Sequence, residues 1–253
     1  MTDNTYERIY LSPHLDDVAL SCGGQIFQQA EAGQRILIVT VAAGEPQTEI
    51  RSFFAEYLHH NWGLPANEAV AMRRAEDEAA AEQLGAEVQH WTLPDAIYRL
   101  HPETEEPLYT SNEDIFGPLH PAEHRLVQEL AEQMARLPEA KTIVAPLAVG
   151  NHVDHQLVRL AAEETFGRDL LYYEDYPYVQ RSPQSLQEQL SAGNDWQPQV
   201  IPLSEAAICA RVAACRQYGS QLGTLFNDAQ TMEALLRDHV AQVGGERLWR
   251  RGR

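Results

Sequence analysis

An α/β fold built on an open, mainly parallel sheet flanked by helices is the architecture that the sequence predicts, on three observations. Short apolar runs alternate with longer stretches of helical periodicity from residue 8 to residue 178. The run QRILIVTVAAG (34–44) is β-branched and apolar throughout, as a strand covered on both faces must be. Strand, helix and strand follow one another before residue 45, the order of a βαβ unit.

Each element has its own signal. RIYLSP (8–13) is a short apolar run stopped by Pro13, and predicts the first strand. VALSCGGQIFQQAEAG then repeats at helical spacing through Val18, Cys22, Ile26 and Gln29, and ends at Gly33. Gly23 and Gly24 inside it are expected to let this helix pack close to the sheet. After the second strand, 45–66 is expected to be irregular, and NEAVAMRRAEDEAAAEQLG (67–85) to be a helix closed by Gly85. EVQHWTL (87–93) predicts a third strand, 94–120 a second irregular stretch, and PAEHRLVQELAEQMARL (121–137) a helix with Pro at its start. TIVAPLAVG (142–150), DHQLVRLAAEETFG (154–167) and DLLYYEDYPY (169–178) predict strand, helix and strand, and 204–240 is mostly helical. With no repeat, low-complexity tract or linker, 1–253 is expected to be a single domain.

Composition excludes several classes of function. Lys plus Arg number 19 against 37 Asp plus Glu, a formal charge of −18, which repels nucleic acid and anionic membranes. Lys141 is the only lysine and lies in no Schiff-base or P-loop motif. Cys22, Cys209 and Cys215 match no zinc or redox spacing, as expected for reduced thiols of a cytoplasmic protein. No apolar run approaches the ~18 residues of a membrane span, and MTDNTYERIY lacks the basic flank and apolar core of an export signal. A small neutral or cationic molecule is the expected partner, with homo-oligomerisation left open.

Two polar clusters interrupt this pattern. SPHLDDVALSCGG places His14, Asp16 and Asp17 just beyond the first strand, and GNHVDHQLV places His152, Asp154 and His155 just beyond the fourth. Both fall on the carboxyl edge of the sheet, where open α/β folds bind ligands. A buried carboxylate doublet is costly without a cation beside it. Neutral imidazoles with carboxylates are the donors that zinc or iron(II) accepts, and three protein ligands with an open position characterise a catalytic site. The competing structural reading is that Asp16 and Asp154 merely cap the helices that follow them.

PHLDDVALSCGG resembles the H-x-D-D-x-x-x-x-x-G-G signature of the PIG-L/LmbE family of zinc-dependent N-acetylglucosaminyl deacetylases, and HVDH is similar to its H-x-D-H motif. RRAEDEAAAEQLG resembles the family's R-x-x-E helix, and YGSQ a recurring tail element, so the resemblance spans nearly the whole chain. It implies a Rossmann-like sheet and a soluble amino-sugar substrate. It further implies Zn2+ (with Fe2+ as the alternative) held by His14, Asp17 and His155, and Asp16 as the general base that takes a proton from the attacking water. His152 would stabilise the oxyanion or protonate the departing amine, Asp154 would orient His152, and Arg73 would hold sugar hydroxyls, where the bland reading pairs it with Asp77 along its helix. Members that make small thiol cofactors carry a tyrosine two residues before H-x-D-H. Gly150 stands there in this chain, with Tyr98, Tyr176 and Tyr178 as the tyrosines available to replace it. Three competing readings are an amidase on a non-sugar conjugate, a magnesium-dependent phosphoacceptor domain, and a metal-binding relative without turnover. The phosphoacceptor reading needs a third aspartate and a lysine at later strand ends, and the binding relative is opposed by the presence of both Asp16 and His152.

Overall fold

The computed structural model describes residues 5–46, 52–62, 66–191 and 195–252. The chain begins β1 (Tyr6–Ser12), α1 (Asp17–Glu31) and β2 (Ile36–Thr40), then runs through α2 (Phe53–Trp62) and α3 (Ala66–Leu84) to β3 (Glu87–His90). It continues with α4 (Asn112–Ile115), α5 (His124–Met134), β4 (Ala140–Pro146), α6 (Val153–Phe166) and β5 (Leu171–Tyr173). The C-terminal part holds α7 (Tyr178–Arg181), α8 (Pro183–Ser191), β6 (Trp196–Ile201), α9 (Glu205–Cys215), α10 (Gly219–Phe226), α11 (Ala229–Val243) and β7 (Glu246–Arg251).

The seven strands form one sheet in the order β3-β2-β1-β4-β5-β7-β6. All five residues of β2 are buried, which explains the unbroken apolar run. β1 pairs in parallel with β2 on one side (Ile9 opposite Leu37) and with β4 on the other (Ile9 opposite Ile143). The chain therefore builds outward from β1 to β3, returns, and builds the other way from β4. The point of reversal lies between β1 and β4, and in sheets of this kind it opens a crevice at the carboxyl ends of the two strands. Both polar clusters follow those two strands.

Several expectations are corrected. Segment 45–66 is not wholly irregular: it contains α2, whose His59 Nε2 lies 2.6 Å from the Tyr98 hydroxyl. Segment 94–120 holds a 3-10 turn at Ala96–Tyr98 and the short α4. The fifth strand stops at Tyr173, because Asp175, Pro177 and Tyr178 turn back towards the crevice and start α7. β6 and β7 were not anticipated, and they add the antiparallel edge. Gly23 and Gly24 face the C-terminal part of the chain: Gly23 meets α9, and Gly24 meets Leu203 and the start of β7. A Cβ on Gly24 would fall 2.5 Å from Leu203 Cδ1, and one on Gly23 would fall 3.0 Å from Arg211 Cγ. There the Glu246 carboxylate accepts from Gly24 N (2.8 Å) and Gln25 N (2.9 Å), while Arg211 Nε donates to Leu20 O (3.1 Å). These bonds and the Arg211–Glu246 ion pair clamp α1, and with it the loop carrying His14 to Asp17. Among the described residues no helix is long and apolar enough to cross a membrane.

His239 on α11 gives this region an acid-sensitive element. Burial, followed by the charges of Arg211 and Arg247, pushes its pKa from 6.5 down to about 4. Between these values the unfolded chain binds a proton that the folded chain refuses. Stability from this group is therefore complete above pH 6.5 and is lost as the pH falls towards 4. Allowing for its partial exposure, the effect is roughly 2 kcal/mol. Urea unfolding of His239→Gln against the parent at pH 7 and pH 4.5 checks this: the variant is expected to lose less stability across the interval, and parallel losses would contradict it.

Candidate active site

The loops after β1 and β4 have the backbone needed to bring the clusters together. Asp16 sits at φ 156°, ψ −29°, a conformation that costs a residue with a Cβ on the order of 1–3 kcal/mol and recurs at functional sites. It makes no side-chain cap for α1, so the capping reading of Asp16 fails. After β4, Ala148 (φ 58°), Gly150 (φ 90°) and Asn151 (φ 64°) turn the chain through left-handed conformations into α6. The cap of α6 is His152, whose Nδ1 accepts from Asp154 N at 3.2 Å, so Asp154 is not a cap either.

The six cluster residues meet. Asp17 Oδ2 lies 3.2 Å from His14 Nδ1 and 3.3 Å from His155 Nε2. Donors held at 2.0–2.2 Å from zinc in a tetrahedron stand about 3.3 Å apart, so these spacings match a tetrahedral edge. The approach of His155 Nε2 to Asp17 lacks hydrogen-bond geometry, which leaves Nε2 buried without a partner beside the other two donors. His14, His152 and His155 also offer one donor each within 4.8 Å of one another, as do His14, Asp95 and Asp154. In the latter set His14 Nε2 is already bonded to Asp154 Oδ2 at 2.9 Å, a link that fixes the ring rather than a position for an ion. The donor set His14, Asp17 and His155 fits a zinc-like cation.

The supports of these rings are stronger than the sequence suggested, and one is different. The Asp154 carboxylate does not orient His152. Asp154 bonds His14 Nε2, Ala96 N (3.0 Å) and the buried Arg99 guanidinium, and touches His152 only through its backbone N–H. Arg99 also bonds Glu123, which accepts the Tyr109 hydroxyl at 2.5 Å. On the opposite side, Asp175 Oδ1 lies 2.6 Å from His155 Nδ1, and Asp175 Oδ2 accepts Val149 N at 2.7 Å. Each proposed ligating histidine thus has its second ring nitrogen on a carboxylate, which sets the tautomer and aims the other nitrogen. Asp175 and Arg99 escaped sequence reasoning. Asp175 follows a strand on the same sheet edge, which is a usable signal; Arg99 lies in a loop that offered none.

The carboxylates of the cluster favour the protonated forms of His14 and His155 but not that of His152. For His14, burial acts to lower the pKa, but its hydrogen bonds to the Asp154 and Asp17 carboxylates outweigh it and hold the pKa well above normal. For His155, burial is outweighed by Asp17 and Asp175, raising it to about 9. His152 goes the other way, well below normal, through burial and the charge on His14. Burial, then the charge of Asp17, lifts Asp16 to about 7. Asp17 and Asp154 stay ionised against burial because of His155 and Arg99 respectively.

A cavity of about 280 Å³ opens onto His14, Asp16, Asp17 and His152. Arg73 lines it, with its Nε buried and unpartnered. The bland pairing of Arg73 with Asp77 is not seen: Asp77 takes Thr40 (2.9 Å), His90 (2.9 Å) and Tyr218 (2.7 Å). Asp95 and Gln221 add polar lining, while Leu58, Ile97, Phe116 and Leu225 make an apolar side. Lys141 is bound to Glu7 at 2.7 Å near the start of β4, at the opposite sheet edge, which removes the lysine that a phosphoacceptor site requires.

Residues 9–166 match the PIG-L family, described as GlcNAc-PI de-N-acetylase. The chain is 29% identical over 239 residues to a 2'-N-acetylparomamine deacetylase of Niallia circulans, spanning 87% of this chain and 82% of that protein. In structure it is similar to the zinc-inhibited form of a teicoplanin deacetylase (TM-score 0.78, 28% identity, 97% and 98% of the two chains). It is likewise similar to the A40926 pseudoaglycone deacetylase (TM-score 0.73, 29% identity, 99% and 98%).

Proposed function

The chain belongs to the PIG-L family, and on that premise we propose that it is a metal-dependent hydrolase that removes the N-acetyl group from an N-acetylglucosamine-type amino sugar or its glycoside. The observation that carries the reading is the convergence of Asp17 Oδ2 with His14 Nδ1 and the unpartnered His155 Nε2, beside a second carboxylate, Asp16, open to the cavity. His14, Asp17 and His155 would hold zinc or iron(II), which supplies a Lewis acid and an acidified water at that point.

The remaining work falls to the chain's own groups. Asp16, free of capping bonds, accepts the proton of the attacking water and gives it to the departing amine nitrogen as the C–N bond breaks. His152 is neutral and its Nδ1 is taken by Asp154 N, so the ring proton sits on Nε2. That nitrogen donates to the carbonyl oxygen as negative charge grows there. Asp154 and Asp175 hold the rings of His14 and His155. Arg73, which lines the cavity, offers its guanidinium group to sugar hydroxyls. All these roles belong to one domain.

The lining also bears on the substrate. Arg73 and Arg181 border the cavity together with the apolar Leu58, Ile97 and Phe116. Asp16, Asp17 and Asp95 line the same cavity, so the two arginines do not make it net positive, and it is the apolar side that favours an apolar aglycone. The test is acetate release from alkyl and aryl glycosides of N-acetylglucosamine alongside an N-acetylated aminoglycoside. The glycosides with an apolar aglycone are expected to give the higher kcat/KM. Release from none of the amino sugars would overturn the proposal.

A further inference from the structure

We propose that Phe116 sets the length of the acyl group that the cavity accepts: its ring closes an acyl subsite against Tyr178, so that acetyl enters and longer chains do not. The inference rests on the deacetylase reading of the same cavity and names the part of the substrate that this wall selects.

A substrate amide is planar and trans, which puts the sugar carbon and the acyl carbon at opposite ends of the group. The two ends meet different walls. Arg73, assigned to the sugar hydroxyls, also lines a small adjoining cavity with Asp95 and Tyr98, to which neither Phe116 nor Tyr178 contributes. Phe116 stands instead against His152, the donor to the carbonyl oxygen, with ring centroids 5.3 Å apart and planes at 86°. With the sugar on the Arg73 side, the acyl chain points towards Phe116, and Leu58 and Ile97 are left to the aglycone.

The wall is closed, and its backbone is held independently of the ring. Phe116 meets the Tyr178 ring edge-on (5.9 Å, 65°), which leaves no gap between them for a chain to pass. Tyr178 is itself seated against His155 (5.8 Å, 86°) and against Gly150, where a Cβ would fall 2.9 Å from its Cβ and Cγ. Asn151, in the loop that carries His152, donates through Nδ2 to Phe116 O (3.1 Å) and Gly117 O (3.0 Å). Gln156 Nε2 adds a bond to Gly117 O (2.7 Å), and Ile115 is buried in one cluster with Val153. None of these contacts uses the Phe116 side chain. That side chain lines the cavity yet Phe116 is 38% exposed, so the ring has the site on one side and solvent on the other. Removing it opens a passage from the carbonyl site to solvent and leaves the loop in place.

The test compares kcat/KM for methyl glycosides of N-acetyl-, N-butyryl- and N-hexanoylglucosamine, read as free amine released. The wild type is expected to favour acetyl over hexanoyl by about 10²-fold or more. In Phe116→Ala that preference should shrink about 10²-fold, while kcat/KM on the acetyl substrate changes by less than about tenfold. Phe116→Leu should fall between the two, and it reads the same ratio if the alanine variant is unstable. A hexanoyl-to-acetyl ratio within about threefold of wild type in the variants would overturn the role, as would a wild type that turns over all three equally. Calorimetry in the Asp16→Asn background, which keeps the metal donors, gives a readout without turnover. There N-hexanoylglucosamine should bind about tenfold more tightly once Phe116→Ala is added, and unchanged affinity would count against the subsite. If the wild type released amine from none of the three, the deacetylase reading itself would fail, an outcome distinct from an active wild type indifferent to chain length.

Discussion

Asp16→Asn is expected to lower kcat by about 10³-fold while the protein still binds its metal with unchanged stoichiometry. Asparagine is close to isosteric with aspartate but cannot take a proton from water. The metal donors are untouched, because Asp17 and not Asp16 lies between His14 Nδ1 and His155 Nε2. The substitution also removes the repulsion between adjacent buried carboxylates, which adds to burial in raising the Asp16 pKa to about 7. The thermal midpoint of the metal-free variant should therefore not fall below that of the wild type. Elemental analysis, kcat and thermal unfolding together separate the roles. Retained turnover would remove Asp16 as the base, whereas lost metal would make it a ligand.

Arg99→Met should have the largest effect on stability. Arg99 is buried between the carboxylates of Asp154 and Glu123, and its removal leaves Glu123 without a cationic partner and Asp154 with His14 alone. Breaking such a pair costs about 3–5 kcal/mol. The loss should also reach the metal centre, because Asp154 fixes the His14 ring through Nε2. Supports of this kind are worth about 10- to 100-fold in metal affinity. Adding Glu123→Gln removes the orphaned charge and should restore part of the stability without restoring affinity, since Asp154 still lacks the guanidinium that holds it in place. Urea unfolding and chelator competition read the two effects separately. Recovery of both in the double variant would show that Arg99 acts only on folding.

Much of this was legible in the sequence because the relevant signals are local. β1 and β2 are apolar and central, and α3 is rich in Ala, Glu and Arg, so propensity and burial agree. The clusters at 14–17 and 152–155 are close in sequence, and the topology brings two adjacent parallel strands to one edge. The residues that were missed act across the chain. Asp175 reaches His155 from the loop after β5, and Arg99 reaches Asp154 from a segment whose irregular sequence carries no period. β6 and β7 escaped notice because WQPQVI, an edge strand containing Pro198, and ERLWRR, which lies between β5 and β6, are polar, with no apolar run to mark them.

The most direct test of the central claim is acetate release by the purified protein before chelation, after chelation, and after readdition of zinc or iron(II), with metal content measured at each stage. Activity that disappears with the metal and returns with it, at one ion per chain, is the expected result. Full activity in protein stripped of metal would contradict the assignment of His14, Asp17 and His155 as its ligands.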